Sequence, residues 1–166
     1  MIEIEKLSGS YAVRKLGDED AEAILALCRE NTQFYLYCAA EPTKEQVLRD
    51  LHLTPPDTDL SNKYYVGFYE EKTLIAVLDL VDSYPEPEYA FIGFFMMKRS
   101  LQGNGRGSAI IGEVAAYLKK SGKTTIRLAI DKDNPQSNHF WKKNGFCVVK
   151  EVDRDGWTLL VAEKQL

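Results

Sequence analysis

Three glycines at alternate positions, Gly103, Gly105 and Gly107, stand between an apolar run and a segment of helical period. This spacing suits one task, the binding of an anion. Such glycines turn the chain sharply, accept positive φ and carry no Cβ to hold a ligand at a distance. The segment from Ser108 to Gly122 repeats its apolar residues at Ile110, Ile111, Val114, Tyr117 and Leu118, which predicts a helix opening inside the turn. Unpaired N–H groups and the positive end of the helix dipole then converge on one spot, best suited to phosphate. The run before the turn, Phe91 to Met97, reads as a strand covered on both faces.

The spacing also excludes two phosphate sites. A P-loop ends in Gly-Lys-Ser/Thr, whereas Gly107 is followed directly by Ser108. The dinucleotide pattern G-x-G-x-x-G fails from Gly103, where Ser108 takes the third glycine's place, and from Gly105, where Ile110 does. What fits is Q/R-x-x-G-x-G/A, read as Gln102, Gly105 and Gly107. Here the sequence resembles the GNAT family of N-acetyltransferases, whose members hold the pyrophosphate of acetyl-CoA at such a turn. The segment Asn134-Pro-Gln-Ser-Asn-His-Phe-Trp-Lys-Lys-Asn-Gly-Phe146 is similar to that family's second motif, Asn-x-x-Ala-x-x-Phe-Tyr-x-x-x-Gly-Phe. The resemblance runs from about Tyr11 to Glu163. It implies an α/β fold, a central mixed sheet flanked by helices, in a single domain over 1–166. It also implies transfer of acetyl from acetyl-CoA to a primary amine of a small molecule or peptide, with no metal.

Acyl transfer from a thioester to an amine asks for four things: a held CoA, a polarised carbonyl, a deprotonated amine and a protonated leaving thiolate. For the first, the expected groups are the backbone N–H groups of Gly103, Asn104, Gly105, Arg106, Gly107 and Ser108, with the Gln102 side chain. A tight turn with structural glycines is the competing reading. For the second, the resemblance places the pantetheine arm along Phe95, Met96 and Met97, with the Met96 N–H facing the thioester carbonyl. Such an oxyanion donor is typically worth a few kcal/mol, and a fully paired central strand is the alternative. Asn134, Asn138 and Trp141 lie at i, i+4 and i+7, on one helix face, and read as further cofactor contacts, while His139 falls off that face.

The last two requirements are harder to place. An amine of pKa near 10.4 is neutral in only about one molecule in 2,500 at pH 7, so a base helps. The family's usual glutamate positions correspond to Phe91 and Ala129, and neither can serve. The acids nearby are Asp79, Glu86, Glu88 and Asp131. Asp79 interrupts the apolar run Leu74 to Val81, and a carboxylate there is either paired or functional; Glu88 is the second candidate. Trp141 stands at the position of the family's tyrosine, which leaves the acid for the thiolate unassigned. Phe34, Tyr35 and Tyr37, in a stretch without clear period, form one wall of the expected acceptor pocket or else plug the core. These departures keep a second reading open, a non-catalytic acyl-CoA-binding module.

The whole chain supports one core. Its 166 residues are 45% apolar and 28% charged, ordinary globular values, and a net charge of −4 without a basic tract argues against a nucleic-acid partner. No apolar run approaches a membrane span, and Met1 to Lys6 lacks the order of a signal peptide. Cys28, Cys38 and Cys147, odd in number and set among apolar residues, read as reduced core thiols, hence a cytoplasmic location; a homodimer stays open. The expected order is a strand from Tyr11, a helix capped by Asp18, and a helix capped by Thr43 with Gln46 that buries Val47, Leu48 and Leu51. A hairpin (Tyr64–Tyr69, Thr73–Val81) and the central strand follow. After the glycine turn and its helix come a strand at Thr124–Asp131, a helix from Asn134-Pro135 to Asn144-Gly145, and two closing strands.

Overall fold

The computed structural model describes residues 1–166. Strands β1 (Ala12–Lys15), β2 (Lys63–Glu70), β3 (Thr73–Asp82), β4 (Tyr89–Met97), β5 (Thr125–Asp131), β6 (Cys147–Arg154) and β7 (Trp157–Gln165) form one sheet. Its order is β1-β2-β3-β4-β5-β7-β6. Only β4 and β5 run parallel, because a parallel neighbour needs a crossover. The crossover here is α4 (Arg106–Lys120). Helices α1 (Ala21–Glu30), α2 (Thr32–Tyr35) and α3 (Lys44–His52) precede the hairpin, and α5 (Pro135–Lys143) follows β5.

Two apolar cores cover the two faces of the sheet. On one, Ile110, Ile111, Val114 and Leu118 of α4 pack with Leu78, Leu80, Ile126, Leu128 and Trp141. On the other, α1 and α3 bury Ile24, Leu27, Val47 and Leu51 against Tyr65, Val77 and Met96. Helical and strand periods in the sequence therefore point at real faces. No helix is long and apolar enough to cross a membrane.

Two features of β4 shape the site. It pairs with β5 only from Tyr89 to Ile92, opposite Thr125 to Leu128, and beyond that the two strands diverge. It also carries a bulge: Asp79 of β3 pairs with Phe94 and Leu80 with Ile92, leaving Gly93 as the extra residue. The bulge resets the side-chain alternation. Ile92 joins the α4 core, whereas Phe94 packs against the α1 core.

Most expected caps are found. Asn134 Oδ1 accepts from the Ser137 N–H at 3.1 Å, with Pro135 at the first helical position. Thr43 Oγ1 accepts from the Gln46 N–H at 3.1 Å, but the Gln46 amide turns to Asp50 instead of closing the box. Leu48 is only partly buried. Asp18 is not a cap: its carboxylate lies 2.7 Å from His52 Nε2. Cys147 is exposed and so is no core thiol. The chain that enters α1 is anchored by Asp20, whose carboxylate takes both terminal nitrogens of Arg14 and accepts from the Gly17 N–H at 2.9 Å.

Arg14, helped by the Gly17 N–H and opposed by burial, holds the Asp20 carboxyl below its ordinary range. A depressed folded pKa means stability present above the unfolded value, near about pH 3.9, and lost as pH falls through the folded one. Asp20→Asn is expected to lower stability by about 1–2 kcal/mol at pH 7. In thermal melts the gap to the parent should narrow as pH falls below the unfolded value near about 3.9; a gap unchanged at low pH would refute the ionic role.

Candidate active site

Beyond the divergence, β4 has free backbone groups, and alternation decides which. The Lys98 N–H donates to the Ile75 carbonyl of β3 at 2.7 Å. The Met97 carbonyl points the other way and accepts from Gln102 Nε2 at 2.9 Å and Asn31 Nδ2 at 3.1 Å. Neighbouring residues of an antiparallel strand face opposite sides. With Val77 paired to Met96, the Met96 N–H therefore faces β3, and the groups of Phe95 and Met97 face the gap towards β5. Met96 is thus corrected as the oxyanion donor. Of the β4 residues expected along the cofactor arm, Phe95 and Met97 present their N–H groups to the gap.

The gap is a cleft of about 470 Å³. It is lined from one face of the sheet by Gly105, Gly107, Phe140 and Trp141, and from the other by Phe34, Tyr37, Phe94 and Asp131. Because side chains of both faces line one space, the cleft passes through the sheet.

At the first mouth, Gly105 stands at the N-cap of α4 with φ +85°, a left-handed conformation, and nothing lies near where its Cβ would be. The Gly107 and Ser108 N–H groups belong to the first helical turn, whose donors have no partner inside the helix. Gly107 packs closely as well: a Cβ there would meet the Phe140 ring at 3.3 Å. The expected roles of three residues of the turn change. Gln102 borders the cleft, yet its amide donates to Asn31 Oδ1 at 2.6 Å and to the Met97 carbonyl, so it ties the turn to the end of β4. Arg106 pairs with Glu70 at 3.3 Å, and neither it nor Asn104 lines the cleft. Asn31, unnoticed in the sequence, is the buried centre of this tie. A polar residue directly after the apolar face of α1 was its only signal.

On α5 the expected face divides. Trp141, 8% exposed, stands edge-on to Phe95, Phe140 and Phe146, and Phe95 stacks on Phe140 at 5.9 Å. Asn134 caps the helix and borders the cleft. Asn138 does not: its amide donates to the Asp131 and Asn134 carbonyls at 3.0 and 2.8 Å, clamping α5 to the end of β5. His139, set aside on the sequence, is exposed at the cleft's rim.

Of the acids, Glu88 is removed from the catalytic set. It is exposed in the turn before β4, where its carbonyl accepts from the Thr124 N–H. At about 3.3 Å per residue it lies roughly 20 Å from Phe95. Asp79 is buried and held by Lys63, whose Nζ sits 2.7 Å from both carboxylate oxygens. Burial pushes the Asp79 carboxyl up, and the Lys63 charge opposes it.

At the second mouth, the irregular stretch is partly helical, as α2. Phe34 stands edge-on to Phe94 at 5.9 Å, and Phe34, Tyr37 and Cys38 border the cleft. Tyr35 points away into the α1 core beside Cys28, and burial raises its hydroxyl well above the usual range. It leaves the acceptor wall. Burial, aided by the charge of Asp131, pushes the Cys38 thiol up to about 11, so it is a neutral lining group.

A sheet split by a diverging central strand, with a glycine turn at one mouth and an aromatic wall at the other, defines an acyl-CoA-dependent transferase. The chain belongs to the acetyltransferase (GNAT) family, whose model matches residues 24–146. It is 24% identical to the spermidine N(1)-acetyltransferase of Thermoplasma acidophilum, over 93% of this chain and 98% of that one. The fold is similar to an acetyltransferase from Thermus thermophilus, with a TM-score of 0.74, 23% identity and coverage of 93% and 96%. It is also similar to the PaiA N-acetyltransferase of Thermoplasma acidophilum in complex with coenzyme A, with a TM-score of 0.67, 23% identity and coverage of 93% and 98%.

Proposed function

We propose that the pyrophosphate of acetyl-CoA sits on the Gly103–Ser108 turn, that its pantetheine arm runs along Phe95 and Met97, and that a primary amine enters from the α2 side. The observation that carries this reading is the cleft open to both faces of the sheet. A module that only held acyl-CoA would need the first mouth alone. The second brings an amine to the thioester carbonyl without displacing the cofactor, and the Phe95 N–H stabilises the oxyanion formed on attack.

Tyr37 supplies a hydroxyl and Asp131 a carboxylate to the second mouth, so a cationic amine of a small molecule or peptide suits it. Spermidine, the substrate in the name of the Thermoplasma relative, is the first compound to try. A reaction that consumes acetyl-CoA suits the cytoplasm, and we place the protein there.

The test is CoA release, followed with a thiol reagent, over a panel of polyamines, aminoalkyl compounds and peptides. Tyr37→Phe is expected to raise the acceptor KM several-fold with acetyl-CoA affinity unchanged. Tyr35→Phe is expected to leave the kinetics alone and lower the melting temperature. Tight CoA binding with no turnover on any amine would favour the binding module instead.

A further inference from the structure

Gly93 is the extra residue of the β4 bulge, exposed on the cleft wall. A Cβ built on it would come within 2.6 Å of Asp79 Oδ2. The carboxylate of the neighbouring strand thus occupies the position that a side chain at 93 would take. It arrives there on the α2 side, which it shares with Val77 by alternation along β3, and where the bulge has turned Phe94 towards Phe34. Asp79 itself does not line the cleft, but Gly93, which does, carries no side chain to cover Oδ2.

We propose that Asp79 is the proton acceptor of the transfer, reached from the amine through one water standing over Gly93, and that Lys63 fixes both its position and its charge. The assignment rests on the N-acetyltransferase reading above. In the step, R–NH3⁺ gives a proton through the water to the Asp79 carboxylate, leaving R–NH2 and a neutral carboxylic acid. The amine nitrogen then bonds to the thioester carbon. As the C–S bond breaks, the electron pair leaves on sulfur, and one of the two protons on the now cationic nitrogen goes to the thiolate, the other staying on the amide. The products are the amide and CoA–SH, and Asp79 returns its proton to solvent.

The surroundings support the role. Lys63, its side chain 2% exposed, binds both Asp79 oxygens and leaves the outward lone pairs for the water. The ionisable groups facing Asp79 are Lys63 and Tyr65 of β2 and Asp50 of α3, with Cys28 of α1 behind Tyr65. Phe94 and Gly93 of β4 add no charge. Burial and Asp50 raise the Asp79 pKa while Lys63 lowers it, so the carboxylate is poised to take and release a proton.

The experiment compares pH–rate profiles of the parent, Lys63→Met and the double variant Lys63→Met/Asp79→Asn, alongside acetyl-CoA affinity and melting temperature. The double variant removes both charges and leaves no ion unpaired. It is expected to bind acetyl-CoA like the parent and to turn over at least about a hundredfold more slowly at pH 7. Its rate should climb with pH towards the pKa of the free amine. Lys63→Met alone should move the acidic limb of kcat/KM to higher pH, because the charge that lowers the Asp79 pKa is gone. A folded double variant with the parental rate and profile would overturn the assignment. If it does not fold, the Lys63→Met limb decides, and an unmoved limb overturns it. Absence of turnover by the parent on every amine would instead count against the N-acetyltransferase reading.

Discussion

Gly107→Val is expected to weaken CoA binding at least about tenfold, or roughly 1.4 kcal/mol, measured by titration calorimetry. Its N–H lies in the first turn of α4, where the unpaired donors and the dipole face the cleft. A branched side chain would stand where the pyrophosphate approaches. The structure adds a consequence that the glycine spacing alone does not carry. A Cβ at this position meets the Phe140 ring at 3.3 Å and Phe95 at 3.7 Å, so the melting temperature should fall as well. Gly107→Ala separates the two effects, since its single methyl presses on Phe140 but reaches little into the cleft. A folded Gly107→Val protein with parental CoA affinity would make the turn purely structural.

Trp141→Ala should have the largest effect on stability. The indole is buried among Phe95, Phe140 and Phe146, with ring centroids 4.9 to 6.1 Å away. Removing a ring of this size from a packed interior costs about 3–5 kcal/mol. For a chain of this length that is a fall in melting temperature of roughly 6–20 °C. Phe95 and Phe140 also line the cleft, so CoA affinity should fall with the packing. Trp141→Phe keeps a ring and should recover most of both losses. If Trp141→Ala melts like the parent, the aromatic group is a surface feature and not a wall of the site.

Local chemistry made much of this legible in advance. Glycine spacing, the Asn134-Pro135 cap and the helical period of α4 are interactions between residues a few positions apart, so they survive in any context that allows a helix there. The same holds for the hairpin of β2 and β3, whose register follows from a short turn. Asn138 and Gln102 show the limit. Each has a side chain suited to a ligand and sits in the right motif, but the Asn138 amide is claimed by the Asp131 and Asn134 carbonyls, and the Gln102 amide by the Met97 carbonyl and by Asn31, brought in from α1. The missed residues, Asn31 and Lys63, matter through partners on other elements, Met97 of β4 for one and Asp79 of β3 for the other.

By itself, then, the sequence determined the class of fold and the glycine turn that opens α4, because both depend on composition and short-range period. Tertiary structure decided which groups face the cleft. A single extra residue, Gly93, reverses side-chain parity along β4, and pairing with β3 assigns Phe95 and Met97, not Met96, to the open side. The same packing turns Tyr35 inward and leaves Tyr37 at the mouth. Parity and pairing are properties of two strands together, and no reading of one strand contains them.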